Sequence, residues 1–284
     1  MLEEVAPAKI NLTLCVHGKR PDGYHELDSL VVFATCGDRV RLVPGPDLAV
    51  EADGEFAAAI LDENLIRKAA AMARASEHRL TLGTFVLDKQ LPVAAGLGGG
   101  SSDAAAALRL IRRANPSLSV HVDWHTIAAA CGADVPVCLV ARAAHMQGLG
   151  DKVTPIGNVP HLGCLLANPR QPLSTADVFR ALQAPALSQP VTAARPLKFA
   201  SADALIAFVR NGRNDLEPPA IRLCPVIGEV RSALAALPGA IIARMSGSGP
   251  TCFALFDCSG AADVAEQVLR AQRPGWWVAS GALV

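Results

Sequence analysis

The sequence predicts an α+β protein of two domains, on three observations. Its 284 residues are about twice the ~150 of a typical single domain. The first part alternates strand-like with helix-like stretches, whereas the last part carries a strand–turn–strand pair flanked by helices. Between them, residues 154–197 hold Pro155, Pro160, Pro169, Pro172, Pro185, Pro190 and Pro196, which interrupt every possible long helix. The junction falls early in that stretch, giving expected domains 1–155 and 156–284.

The elements follow in order. Residues 9–16 and 27–34 are rich in β-formers and read as strands. Residues 62–75 open with a capping-type Asp62 and continue as a helix, and 80–89 return to strand. A glycine-rich loop at 96–100 leads into a helix from about 102 to 114. A second helix over 123–131 ends at Gly132, and 135–141 reads as a strand. Beyond the junction come a strand at 162–167 and helices near 202–210 and 220–236. Strands at 241–245 and 251–256 are joined by Ser246-Gly-Ser-Gly-Pro250, and a helix at 261–271 and a strand at 276–280 complete the chain.

Composition excludes several function classes. Lys plus Arg and Asp plus Glu number 26 each, so no broad basic surface exists for nucleic acid or a polybasic membrane contact. Hydrophobic residues make up 51% and charged residues 18%, against about 25% charged in typical soluble proteins, which marks a packed globular chain. Aromatics are 4%, so the core is aliphatic and alanine-rich, and Tyr24 is the single tyrosine. No stretch approaches the roughly 18–20 uninterrupted apolar residues of a membrane span. The N-terminus carries Glu3 and Glu4 where a secretory signal carries Lys or Arg, so a cytoplasmic location is expected. The eight cysteines form no CxxC pair and read as reduced core residues.

Chemistry concentrates in four segments. In Leu91-Pro-Val-Ala-Ala-Gly-Leu-Gly-Gly-Gly-Ser-Ser102, four glycines (96, 98, 99, 100) let the backbone approach a ligand, and hydroxyls follow at a helix start. Unpaired N–H groups and the helix dipole there favour a phosphate. The segment is neither a P-loop, lacking the Lys after the last glycine, nor a Rossmann turn, since Ser101 replaces the third glycine; a flexible linker or tight turn is the plain alternative. Second, Lys9 lies in an otherwise apolar strand with Asn11 on the same face, as either a functional pair or a wetted edge. Tyr24 and His25 follow the turn at Pro21-Asp-Gly23, placed either to stack on a ring or simply to pack a loop. Third, Asp134 in Gly132-Ala-Asp-Val-Pro136 meets the pattern of a general base and equally that of a capping carboxylate. Pro136 biases Val135 toward extended geometry. Fourth, the 246–251 turn suits a tight hairpin, which needs glycine in any case. His121 and His125 have metal-ligand spacing but no third ligand nearby in sequence.

In order and spacing, Pro7-Ala-Lys-Ile-Asn-Leu12, Leu91–Ser102 and Ser246-Gly-Ser-Gly-Pro-Thr251 together resemble the GHMP kinases, the family of galactokinase, homoserine kinase and mevalonate kinase. Gly18-Lys-Arg-Pro-Asp-Gly-Tyr-His-Glu-Leu27 and Gly132–Pro136 resemble the branch whose acceptor is a cytidine diphosphate derivative of a small branched polyol, in non-mevalonate isoprenoid synthesis. The resemblance implies a ribosomal-protein-S5-like α/β domain followed by a ferredoxin-like α+β domain. It implies ATP and Mg²⁺, with Pro92, Val93, Ala94, Ala95, Gly96, Leu97, Gly98, Gly99, Gly100, Ser101 and Ser102 around the phosphates and Ser101 or Ser102 as a magnesium oxygen. Lys89 and Asn64 then fall on the adenine side. Asp134 takes the proton of the acceptor's 2-hydroxyl beside Lys9, while Asn11, Tyr24 and His25 meet the cytidine diphosphate and Gly247 and Ser248 close over the reacting phosphate. Two departures stand out: a reworded segment at 116–122, and Val137-Cys138 where two phenylalanines are common. The implied assembly is a monomer or homodimer without nucleic-acid or membrane partners. Two other readings remain, a homoserine- or mevalonate-type kinase, and a silent RNA-binding module that the zero net charge disfavours.

Overall fold

The chain begins with an apolar stretch broken by Glu3, Glu4 and Lys9, and in the computed structural model it forms β1 (Leu2–Asn11), whose last six residues are all buried. The structure describes residues 1–60, 64–157, 159–189 and 197–284; the expected cap Asp62 and two of the interrupting prolines, Pro190 and Pro196, lie outside them. Two units result: Met1–Ala8, Gly37–Val93 and Gly98–Ala141 make the first, and Lys9–Cys36, Ala94–Leu97 and Arg142–Val284 the second. Strands β1 and β3 (His25–Gly45) each contribute residues to both.

In the first unit, β4 (Ala49–Asp53) runs parallel to β5 (Leu82–Asp88), and β5 pairs antiparallel with the far end of β3, from Arg39 opposite Asp88 to Gly45 opposite Leu82. Helices α1 (Leu65–Ser76), α2 (Gly99–Ala114), α3 (Trp124–Cys131) and α4 (Val135–Val140) pack on one another, with α2 touching the other three. Alanines 104–107 make α2 narrow enough to bury its middle, Ser102 to Ile111 apart from Arg109. Asn115 just past α2 ties it to β5's approach, accepting from Thr81 N at 2.7 Å and donating to Thr81 O at 2.8 Å.

In the second unit, β2 (Cys15–Lys19) and β6 (Ala144–Gly148) flank the near end of β3, and β7 (Lys152–Pro155) pairs with β6. A four-stranded antiparallel sheet follows, β8 (Gly163–Asn168), β9 (Ile242–Met245), β10 (Cys252–Phe256) and β11 (Trp277–Ala282), in the order β11-β8-β10-β9. Helices α5 (Thr175–Leu182), α6 (Ala202–Asn211), α7 (Glu217–Leu223) and α8 (Val226–Ala235) precede β9, and α9 (Ser259–Gln272) precedes β11. Strand β8, α8, β9, β10, α9 and β11 form the split βαβ pattern of a ferredoxin-like domain, as expected. Leu165, Ala254, Phe256, Ile227, Val230 and Leu269 are wholly buried in its core.

Several elements differ from expectation. Residues 135–141 are the helix α4, not a strand. Val135, Pro136, Val137 and Cys138 are all buried there, and a short apolar run has the same signature in a buried strand and a buried helix. Pro136 sits in the first turn, where no N–H is needed, so it starts the helix instead of extending Val135. The expected helix 220–236 is two helices, interrupted at Cys224 and Pro225. The expected strand 9–16 breaks between Asn11 and Cys15, where Leu14 makes an isolated bridge to Asn214. The proline-rich stretch still holds α5, capped by Ser174 Oγ accepting from Asp177 N. Strands β4, β6 and β7 carry no clean alternation and give no local signal.

Candidate active site

The start of α2 has the geometry that suits an anion. Gly98 is its N-cap at φ +62°, no side chain caps it, and the first bond back to Gly98 O comes from Ser102 N at 2.8 Å. The N–H groups of Gly99, Gly100 and Ser101 therefore precede the helical ladder and keep their donors for a ligand. Ser102 is wholly buried and donates its hydroxyl to Pro7 O at 2.8 Å. Ser101 is half-buried, so of the two serines it is the one placed to offer an oxygen to a cation. Pro92 is buried, and Val93, at 45% exposure, is on the surface.

Lys89 leaves the end of β5 and is buried. Its Nζ donates to Asp38 Oδ2 at 2.6 Å and to Asp103 Oδ2 at 2.7 Å. Burial opposes the lysine's charge, but the two carboxylates outweigh it and raise its pKa. Asn64 is the N-cap of α1, its Oδ1 accepting from Ile66 N at 2.8 Å. Asp134 is half-buried at the N-cap position of α4, yet its side chain makes no capping hydrogen bond, which sets aside the capping reading. The segment 116–122 folds into a single turn at Ser119–His121, and among the described residues no group of three His, Cys, Asp or Glu could hold a metal, His121 and His125 included.

In the second unit the spacing of two in β1 does what it promised. Lys9 Nζ donates to Asn11 Oδ1 at 2.8 Å, Asn11 Nδ2 donates to Ser29 Oγ at 2.8 Å, and Ser29 Oγ donates to Thr13 O at 2.6 Å. All four residues are buried, so the wetted-edge alternative does not hold. Residues 94–97 and 246–251 meet this strand. Lys9 N donates to Leu97 O at 2.9 Å, Ser246 Oγ accepts from Asn11 N at 3.2 Å and donates to Gly96 O at 2.9 Å, and Thr251 N donates to Ala95 O at 3.3 Å. Gly96 has φ +74°, and a Cβ on it would lie 2.4 Å from Ser246 O; Ala94 takes a left-handed φ of 52° despite having a Cβ. Asn214 holds the turn from below, donating to Met245 O at 2.9 Å and Gly247 O at 2.8 Å, and Ser248 Oγ pairs with Thr175 Oγ1 at 2.8 Å.

Tyr24 follows a turn closed by Arg20 N on Tyr24 O, and the residue is 65% exposed. His25 stacks on Phe179 of α5, with ring centroids 4.9 Å apart at 28°. Burial and then the Lys19 charge lower its pKa, so its ring stays neutral to lower pH than an exposed histidine. Sequence reasoning named Ser246 only within the 246–251 turn and missed Phe179, Ser29, Asn214, Asp38 and Asp103. Of these only Asp103, a lone charge inside an alanine run, carried a local signal.

Comparison with known proteins bears on this arrangement. The GHMP kinases N terminal domain matches residues 64–142, and the GHMP kinases C terminal domain matches 201–274. A 4-diphosphocytidyl-2-C-methyl-D-erythritol kinase of Methylorubrum extorquens is 51% identical over 279 residues, covering 96% of each chain. The enzyme of the same name from Rhodopseudomonas palustris (strain HaA2) is 47% identical over 291 residues, 99% of this chain and 98% of that one. A crystal structure of 4-(cytidine 5'-diphospho)-2C-methyl-D-erythritol kinase superposes with a TM-score of 0.77 at 32% identity over 99% of both chains. A homoserine kinase from Cytophaga hutchinsonii shares the fold, with a TM-score of 0.65 at 18% identity over 99% of this chain and 94% of that one. The chain belongs to the GHMP kinases and, within them, to the family of 4-diphosphocytidyl-2-C-methyl-D-erythritol kinases.

Proposed function

We propose that this chain transfers the γ-phosphoryl group of ATP to the 2-hydroxyl of 4-diphosphocytidyl-2-C-methyl-D-erythritol, in the cytoplasm, as a monomer or homodimer. The observation that carries the reading is near-50% identity, over almost the whole chain, to relatives of that name. We read the domains as 1–155 and 156–284, one family match falling in each. Among the described residues no helix is long and apolar enough to cross a membrane.

Phosphoryl transfer has a loose transition state, so the protein works by positioning and by placing charge. Residues 92–102 take the phosphates, with the N–H groups at the α2 start as donors. Mg²⁺ suits a site that offers few protein oxygens; Ser101 would offer one, and the ion would neutralise phosphate charge when bound. Asn64 lies on the adenine side. Asp134 accepts the proton of the acceptor hydroxyl, and Lys9, held by Asn11, stabilises charge there. Tyr24, His25 and Phe179 supply ring faces for cytosine, while Gly247 and Ser248 cover the reacting phosphate.

Two measurements test this. Purified chain with Mg-ATP releases ADP in a coupled assay when given the cytidine substrate, and not when given homoserine or mevalonate; the reverse preference overturns the reading. Replacing Tyr24 and His25 by Ala raises KM for the cytidine substrate by about tenfold or more while kcat changes little, since base stacking contributes about 1–3 kcal/mol per ring. An unchanged KM removes the two rings from the substrate site.

A further inference from the structure

Two carboxylates and one ammonium are buried together beneath the start of α2. Lys89 Nζ is shared by Asp38 Oδ2 at 2.6 Å and Asp103 Oδ2 at 2.7 Å. The other oxygen of Asp38 accepts from Gln90 N at 2.6 Å and Leu91 N at 2.7 Å, so this one carboxyl grips the two residues that lead from β5 into the glycine-rich loop. Asp103 lies in the first half of α2, so Lys89 ties that helix to the same point. Gly99, the first residue of α2, passes directly over the lysine: a Cβ there would lie 3.0 Å from Nζ and 3.7 Å from Asp38 Oδ2. Strand end, loop entry and helix start are thus joined through one ammonium group.

Asp103 Oδ2 accepts from Lys89 Nζ, while its Oδ1 is buried with no hydrogen-bond partner among the described residues, so the lysine is what holds this carboxyl in place.

We propose that Asp38, Lys89 and Asp103 form a buried clamp that holds Gly98–Ser102 in its ATP-binding shape, and that Lys89 is a positioning residue whose amine serves this clamp and does not itself touch the nucleotide. The proposal rests on the kinase reading and revises the adenine-side role expected for Lys89. It differs from direct contact in one measurable respect, because a clamp is lost once and a contact is lost separately from it.

Calorimetric titration of the full chain with Mg-ATP decides between them. Lys89→Met and Asp103→Ala each weaken ATP binding by about tenfold, and the double variant is no weaker than the worse single one, because both break the same unit. Asp103→Asn, a neutral group of the same shape, restores ATP affinity to within about threefold of the native chain. Affinity for the cytidine substrate stays native throughout, which separates loss of the clamp from loss of the fold. Additive losses in the double variant overturn the proposal and make Lys89 a direct contact. Native ATP affinity in both single variants overturns it as well. Should Asp103→Ala not fold, Asp103→Asn decides alone, since its amide oxygen still accepts from Lys89 Nζ, and a tenfold loss there refutes the clamp. A native chain that binds no Mg-ATP defeats the kinase reading itself, whereas native binding matched by every variant defeats only the clamp.

Discussion

Asp134→Asn lowers turnover by about 10²–10⁴-fold while ATP and the cytidine substrate bind as before, because general-base catalysis contributes about that factor and the amide keeps the shape of the acid. Asp134 stands at the N-cap of α4 without capping it, so the substitution removes no capping bond from the helix, and the helix itself is anchored by its buried Val135, Pro136, Val137 and Cys138. A thermal melt within a few degrees of native and unchanged binding, alongside the lost turnover, is the expected set of results. Full turnover in Asp134→Asn removes the residue from the proton transfer.

Gly96→Ala is the other large effect, and it acts through the backbone. The glycine has φ +74°, and the added Cβ would meet Ser246 O at 2.4 Å, Gly249 N at 2.8 Å and Gly249 O at 2.9 Å, all main-chain atoms that cannot rotate away. Overpacking and left-handed strain together cost about 2–5 kcal/mol. The same shift pulls Gly96 O from Ser246 Oγ and disturbs Leu97 O on Lys9 N, so ATP binding falls with stability. Urea unfolding and ATP titration of the variant check both. Ala94→Gly is the matched control two residues earlier. Ala94 already holds φ 52°, so relief of strain offsets the entropy lost to glycine, and stability stays within about 1 kcal/mol of native. Equal behaviour of the two variants overturns the steric argument.

Much of the site was legible locally. Lys9 and Asn11 are two apart in a strand, which places them on one face wherever that strand goes, and their side chains do meet at 2.8 Å. Glycines 96 and 98 sit at left-handed φ and Gly99 begins a helix, as a loop built for close approach to an anion requires. The hairpin of β9 and β10 around Ser246–Pro250 was equally readable from two apolar runs and a glycine-rich turn. The failures have a common origin. Residues 135–140 are apolar and short, and whether such a run coils or extends is decided by the surface it is buried against, here α2. Phe179 lies in a stretch whose prolines hid α5, and its ring matters only because the fold stacks it on His25.

Charge shows the same division. Equal numbers of acids and bases ruled out a general polyanion surface, and the local patterns named the candidate anion sites: the glycine loop, the helix start and Lys9. Those conclusions depend on spacing along the chain, which a sequence contains in full. What Lys89 does depends instead on Asp38 and Asp103, brought within 2.7 Å of its amine from β3 and α2. A lysine reads in sequence as a cation available to a ligand. Only the tertiary structure shows it buried between two carboxylates, because desolvation and pairing are properties of the space around a side chain and not of its neighbours in the chain.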